Sequence, residues 1–272
     1  MGSTGTLVIF VRHGRADHNV CAQKARSACW NDDAKDDAED HVYTLVSWRH
    51  NPPSLTPSGM GQVVAIAKEL GDFYLRNQSR TPDCRHATPM IVTSPLRRAI
   101  QTMALIDKHM TDKIARPTIV VRLCFRERTT GTHTTNVILA EGPNATRLYG
   151  MESRLFGMVG KMDGTDWTVD ETTNGSKALY ERASEAVDYL RKIRGVVIVV
   201  THHQFMKAVA EVLGQPLPKG AHENAGVWIP EMNPDAVGVG TSLVCRILEW
   251  PFIPLSARKL ADDEIDRLIM NL

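Results

Sequence analysis

The chain has 272 residues, 43% of them hydrophobic and 23% charged, with a formal net charge of +1. That length suits one large domain, and the near-neutral balance excludes the broad basic field that draws nucleic acid or a membrane surface. No apolar run is long enough to span a bilayer, and Cys21, Cys29, Cys84, Cys124 and Cys245 are scattered without CxxC spacing, so they read as reduced thiols of a cytoplasmic protein.

The start, MGSTGT, fits the short myristoylation pattern at Gly2. The plainer reading, a polar lead-in to the first strand, is preferred. Leu7–Val11 is a continuous apolar run, the pattern of a strand buried on both faces. It ends in Arg12-His13-Gly14, and the glycine allows another backbone or a ligand to come close. Residues 20–53 show no clear period and carry an acidic run, Asp32–Asp40, that reads as a solvated excursion. Trp30 and Trp48 imply that the segment is anchored.

Ser54–Asn77 reads as a helix capped by Thr56 with Pro57 at its first position. Met60, Val63, Val64, Ala67, Leu70 and Tyr74 share one face of it. Met90–Val92 is a short strand, and Ser94 with Pro95 marks the opening of the next helix. Ile119–Leu123 is a third strand that runs into Cys124-Phe125-Arg126-Glu127. Thr129–Asn174, rich in Thr and Gly, reads as a lid or insertion. Lys177–Arg194 is a helix expected to end at Gly195. Val196–Val200 is the most apolar strand and delivers Thr201-His202-His203 to its end. A helix over Gln204–Leu213, strands at Ala225–Ile229 and Thr241–Leu248, and a terminal helix at Asp262–Leu272 complete the reading. Strands alternating with helices predict an α/β fold: a three-layer sandwich with a mostly parallel central sheet and helices on both faces.

Charge gathers at Arg12 and His13, at Arg126 and Glu127, at His202 and His203, and at Arg97 and Arg98. Parallel strands place their C-terminal ends on one rim, so these groups can converge. Two histidines and two arginines around one small space suit a phosphoryl group, because guanidinium donors match phosphate oxygens in pairs. A neutral histidine can act as nucleophile near pH 7. Glu127 can give a proton to the leaving oxygen and later take one from water. Taken singly, each signal has a bland reading. An RHG tripeptide occurs by chance, Arg97-Arg98 fits a solvated helix face, and His202-His203 fits one core and one exposed histidine. A zinc site lacks HxxxH or CxxC spacing to support it. Together the bland readings require several coincidences.

With these residues in place, the chain resembles the histidine phosphatase superfamily in its phosphoglycerate mutase-like branch. The carrying stretches are VRHGRADHN (Val11–Asn19), LTPSGMGQ (Leu55–Gln62), TSPLRRAIQT (Thr93–Thr102), LCFRER (Leu123–Arg128) and VTHHQFMKAV (Val200–Val209). The resemblance implies one domain over 1–272, with insertions at about 20–53 and 129–175 forming a cap or lid. It implies that His13 is the nucleophile and becomes phosphohistidine. Arg12 and Arg98 would be phosphate clamps, His202 the second pocket histidine, Glu127 the acid, and Asn19 a phosphate or substrate contact. His203, where relatives often carry glycine, would add a polar group at the pocket wall. No metal and no cofactor are implied. The expected activity is that of a phosphoric monoester hydrolase of the histidine acid phosphatase type, acting on a phosphorylated small molecule or a phosphoprotein. No nucleic-acid or membrane partner is expected, and the expected assembly is a monomer or homodimer. Ala16 and His203 set the chain apart from the phytase-like branch, whose opening is RHGxRxP and whose second motif is His-Asp. Mutases follow the acid with Tyr-Gly, whereas Glu127 precedes Arg128-Thr129-Thr130-Gly131. A mutase and a catalytically silent phosphate-binding module are the competing readings. The presence of His13, Arg12, Arg98, Glu127 and His202 argues against silence.

Overall fold

The structure, a computed structural model, describes residues 6–20, 54–78, 88–110, 114–127 and 175–232. The expected insertions (Val20 and Gly175 apart), the strand at Thr241–Leu248 and the terminal helix at Asp262–Leu272 lie outside the described residues. In chain order the elements are β1 (Thr6–Arg12), α1 (Pro57–Gln78), β2 (Met90–Thr93), α2 (Arg97–Met110) and β3 (Thr118–Val121). A short 3-10 turn at Leu123–Phe125 follows, then α3 (Gly175–Arg191), β4 (Gly195–Thr201), α4 (His203–Val212), a second 3-10 turn at Lys219–His222, and β5 (Val227–Trp228).

The sheet order is β3-β2-β4-β1-β5. Neighbours are parallel except β5, which pairs antiparallel with β1 at the edge. Period-two alternation divides the strand side chains between two cores. Ile9, Val11, Ile91, Ile198 and Val200 pack with α1 and α2 on one face. Val8, Phe10, Val92, Val197 and Val199 pack with α3 and α4 on the other. This is the three-layer α/β arrangement expected from the alternating pattern. All seven residues of β4 are buried, because helices cover it from both sides.

Three local expectations are corrected. The second helix begins at Arg97, not at Ser94–Pro95: the Leu96 carbonyl accepts its first bonds, from the amides of Ala99 at 2.9 Å and Ile100 at 3.0 Å. The Ser94 hydroxyl instead accepts the Leu96 amide at 3.3 Å and meets the His202 ring. Gly195 does not end a helix. α3 stops at Arg191, and Gly195, at φ 99°, opens β4 in a conformation that L side chains avoid. β3 ends at Val121, so the 3-10 turn separates it from Arg126 and Glu127. The cap of α1 is as predicted: the Thr56 hydroxyl accepts the Gly59 amide at 3.1 Å. Among the described residues, no helix is long and apolar enough to cross a membrane.

Candidate active site

The strand order fixes where a site forms. From β1 the chain passes through α1 on one face toward β2 and β3. From β4 it passes through α4 on the other face toward β5. Connections therefore leave the adjacent C-terminal ends of β1 and β4 in opposite directions, and in open α/β sheets such a switch point opens a crevice. The register pairs Arg12 with Thr201, which delivers His13 and His202 side by side. Their ring centroids are 5.1 Å apart.

His13 is 2% exposed. Its Nδ1 lies 2.7 Å from the Gly14 carbonyl, which can only accept, so Nδ1 carries the ring proton. Its Nε2 accepts the Nε–H of Arg98 at 3.2 Å. The imidazole is therefore held neutral with its Nε2 lone pair on the Arg98 side. Burial pushes the His13 pKa well below the usual histidine value, and the charges of Arg98, His202, Arg12 and His18 push the same way. Backbone bonds fix the residue on both sides: its amide donates to Thr201 at 3.0 Å, and its carbonyl accepts the Ala225 amide at 3.0 Å.

His202 is fully buried. Its Nε2 lies 2.7 Å from the Ser94 hydroxyl. That hydroxyl also accepts the Leu96 amide and keeps a second lone pair, so the contact with Nε2 can run in either direction and leaves both tautomers of His202 open. Nδ1 has no hydrogen-bond partner among the described residues. A buried polar atom left so costs about 1–3 kcal/mol, a cost that a bound hydrogen-bonding group would remove. Burial, then the charges of Arg98, His18, Arg12 and Arg182, lower the His202 pKa well below its ordinary value.

Arg98, 6% exposed, reaches His13 from the first turn of α2. Arg12 donates through Nη1 to the His222 carbonyl, and its charge acts on His13, His202 and His203. Asn19 is engaged within the loop. Its Oδ1 accepts the amide of Ala16 and the Nδ2 of Asn224, each at 3.1 Å, and its Nδ2 donates to His18 Nε2 at 3.1 Å. His203 pairs with His222, ring nitrogen to ring nitrogen at 2.7 Å. Burial, with help from Arg12, His222 and Lys207, brings the His203 pKa down to about 4. Glu127 is half-buried at the end of the turn that follows β3, with its carbonyl 3.4 Å from Arg182 Nη2. The structure thus gathers His13, Arg98, His202 and Arg12 at one switch point, while Asn19 and His203 hold adjacent segments. Among the described residues, no group of three or more His, Cys, Asp or Glu side chains is arranged to hold a metal ion.

This geometry explains residues of the motifs that carried no role in the sequence. Thr102 accepts the Gly14 amide at 3.1 Å and donates to the Arg98 carbonyl at 2.7 Å. Gln62 accepts the Arg15 amide at 3.1 Å, and Thr56 donates to the Arg15 carbonyl at 3.1 Å. Gly14 and Gly59 cross so closely that a Cβ on Gly59 would lie 2.0 Å from the Arg15 carbonyl oxygen. His18 was also missed. A helical turn at Ala16–Val20 brings its ring within 5.7 Å of His13. Its place in the opening motif was the one available signal.

The family model of the histidine phosphatase superfamily (branch 1) matches residues 8–239. The chain belongs to this superfamily. A search of curated proteins returns no match. Among solved structures it is similar to a phosphoglycerate mutase from Bacillus anthracis str. Sterne, at 18% identity, covering 83% of this chain and 89% of that one, with a TM-score of 0.44. It is similar to the ecdysone phosphate phosphatase of Bombix mori, at 13% identity over 83% and 92% of the two chains, TM-score 0.46. It is similar also to a phosphoserine phosphatase of Entamoeba histolytica, at 16% identity over 82% and 88%, TM-score 0.38. At these levels none of the three says what this member of the superfamily acts on.

Proposed function

We propose that this chain is a phosphomonoesterase that works through a phosphohistidine at His13. The observation that carries the reading is the buried, neutral imidazole of His13, with Nδ1–H bonded to Gly14 and its Nε2 lone pair beside the Arg98 guanidinium. A neutral ring surrounded by fixed cations suits attack on a phosphoryl group whose charge those cations offset. Nε2 attacks phosphorus in line. Arg98, Arg12 and the His202 ring, in the tautomer with its proton on Nδ1, stabilise the equatorial oxygens. Glu127 protonates the departing alkoxide, and then, as base, takes the proton of the water that hydrolyses the phosphohistidine. The sequence Glu127-Arg128-Thr129-Thr130-Gly131, which departs from the mutase pattern, favours hydrolysis over transfer. Segments 20–53 and 129–175 are proposed to set the choice among small phosphorylated metabolites and phosphoproteins.

The test is direct. Wild type incubated briefly with radiolabelled p-nitrophenyl phosphate and quenched in alkali is expected to carry label on His13, in the acid-labile, alkali-stable form of a phosphoramidate. His13→Ala is expected to carry none and to release no p-nitrophenol above the uncatalysed rate. A turnover-competent His13→Ala variant would refute the assignment. Label passing from the enzyme to 3-phosphoglycerate in preference to water would replace the hydrolase with a mutase.

A further inference from the structure

The 3-10 turn that leads to Glu127 is entered by a bond from the Phe125 amide to the Arg122 carbonyl at 3.3 Å. Its carbonyls are taken up in succession by side chains from elsewhere. Arg182 of α3 donates through Nη1 to Cys124 at 3.0 Å and Arg126 at 2.9 Å, and through Nη2 to Glu127 at 3.4 Å. The carbonyl between them, that of Phe125, accepts the hydroxyl of buried Thr201 at 2.7 Å. The Phe125 ring is fully buried against Phe205 and Tyr189. The Arg182 guanidinium is itself steadied over the Phe205 ring, 5.7 Å from its centroid. A rigid planar fork can hold several carbonyls at fixed spacing, which a lysine ammonium on a flexible stem cannot.

We propose that Arg182 is a positioning residue for the reaction: it sets the 124–127 backbone so that Glu127 is presented to the leaving-group oxygen. This rests on the assignment of Glu127 as the acid. Arg182 touches no reacting atom in this scheme. It acts through the turn, and Thr201 joins it from the strand that delivers His202, so acid and pocket histidine share one anchor. The consequence is chemical as well as structural. Loosening the turn should harm proton delivery, and proton delivery matters most when the leaving group is a poor one.

Arg182→Met and Arg182→Lys, with Glu127→Gln and the Arg182→Met/Glu127→Gln double variant, are assayed on aryl and alkyl phosphates spanning leaving-group acidity. The readout is kcat/KM, which reports steps through departure of the leaving group. Glu127→Gln is expected to lose about 10²–10⁴-fold on alkyl phosphates and far less on p-nitrophenyl phosphate. Arg182→Met is expected to show the same selectivity, falling at least about tenfold further on alkyl than on nitrophenyl substrates, with Arg182→Lys between it and wild type. The double variant is expected to lose no more than Glu127→Gln alone, as residues acting as one unit do. Affinity for inorganic phosphate, measured by calorimetry, confirms that each variant is folded. Equal loss on all substrates, or losses that add in the double variant, overturns the role of Arg182. If Arg182→Met fails to fold, Arg182→Lys decides the matter by the same two criteria. If Glu127→Gln shows no leaving-group selectivity, the assignment of the acid falls first, and the proposal with it.

Discussion

Thr102→Val offers a sharp test of how the loop at His13 is held. Valine keeps nearly the same shape and removes the hydroxyl that accepts the Gly14 amide at 3.1 Å and donates to the Arg98 carbonyl at 2.7 Å. Thr102 is fully buried, so water cannot replace it without rearrangement. Leaving the Gly14 amide buried and unpaired costs about 1–3 kcal/mol, and the lost bond to Arg98 adds about 0.5–1.5 kcal/mol. The expected loss of stability is thus about 1.5–4.5 kcal/mol. Urea unfolding at pH 7 should show a lower midpoint with an unchanged slope. Thr102→Ser, which keeps the hydroxyl, should recover most of the loss. Activity at a temperature where the variant is folded should fall about ten- to a hundredfold, because Gly14 also supplies the carbonyl that fixes the tautomer of His13, and small misplacements of a nucleophile carry penalties of that size. A Thr102→Val protein within about 0.5 kcal/mol of wild type would refute the reasoning, since surface-like substitutions fall in that range.

Gly59→Ala should destabilise by about 2 kcal/mol or more in the same assay, although alanine ordinarily favours a helix by about 1 kcal/mol, because the new Cβ would overlap the Arg15 carbonyl. A stabilised Gly59→Ala protein would contradict the close crossing. Stability should also fall as pH drops below the ordinary histidine value. His13 and His202 have native pKa values lowered chiefly by burial, so the unfolded chain takes up protons that the native state refuses. The contribution is complete above about pH 6.5 and is lost on acidification, approaching about 1.4 kcal/mol per pH unit for each group while its native form stays neutral. Denaturation midpoints measured at pH 7.5 and 5.5 check this. Equal values at the two would show that these rings charge freely in the folded protein.

Much of this architecture is legible in residues read alone. The apolar runs at Leu7–Val11 and Val196–Val200 announce strands covered on both faces, and they became neighbouring strands with adjacent histidines at their ends. Arg98 and His13 meet because one closes a strand and the other opens a helix after a strand, a rule of fold and not of sequence distance. What could not be read was the work of uncharged or ordinary side chains. Thr102, Gln62 and Ser94 carry no chemical signature, and their partners are backbone amides or a ring brought close only by folding. Ser94 looked like a helix cap because serine before proline usually is one. The nearby His202 competes for its hydroxyl, and the helix begins later. Arg182 has no chemical signature on its helix either, since the turn it grips lies more than fifty residues earlier.

The strand order also bears on how the polypeptide is made. β4 lies between β1 and β2, yet it follows both by about a hundred residues or more. While the ribosome is extending the chain, β1 and β2 have emerged as two sticky ribbons with no common neighbour, and neither edge can be closed until residue 201 has cleared the exit tunnel. Nascent chains with such long-range pairing close late and expose apolar surface meanwhile. Release of fragments stalled short of residue 201 should therefore yield aggregates, whereas stalling beyond β5 permits the sheet to zip shut.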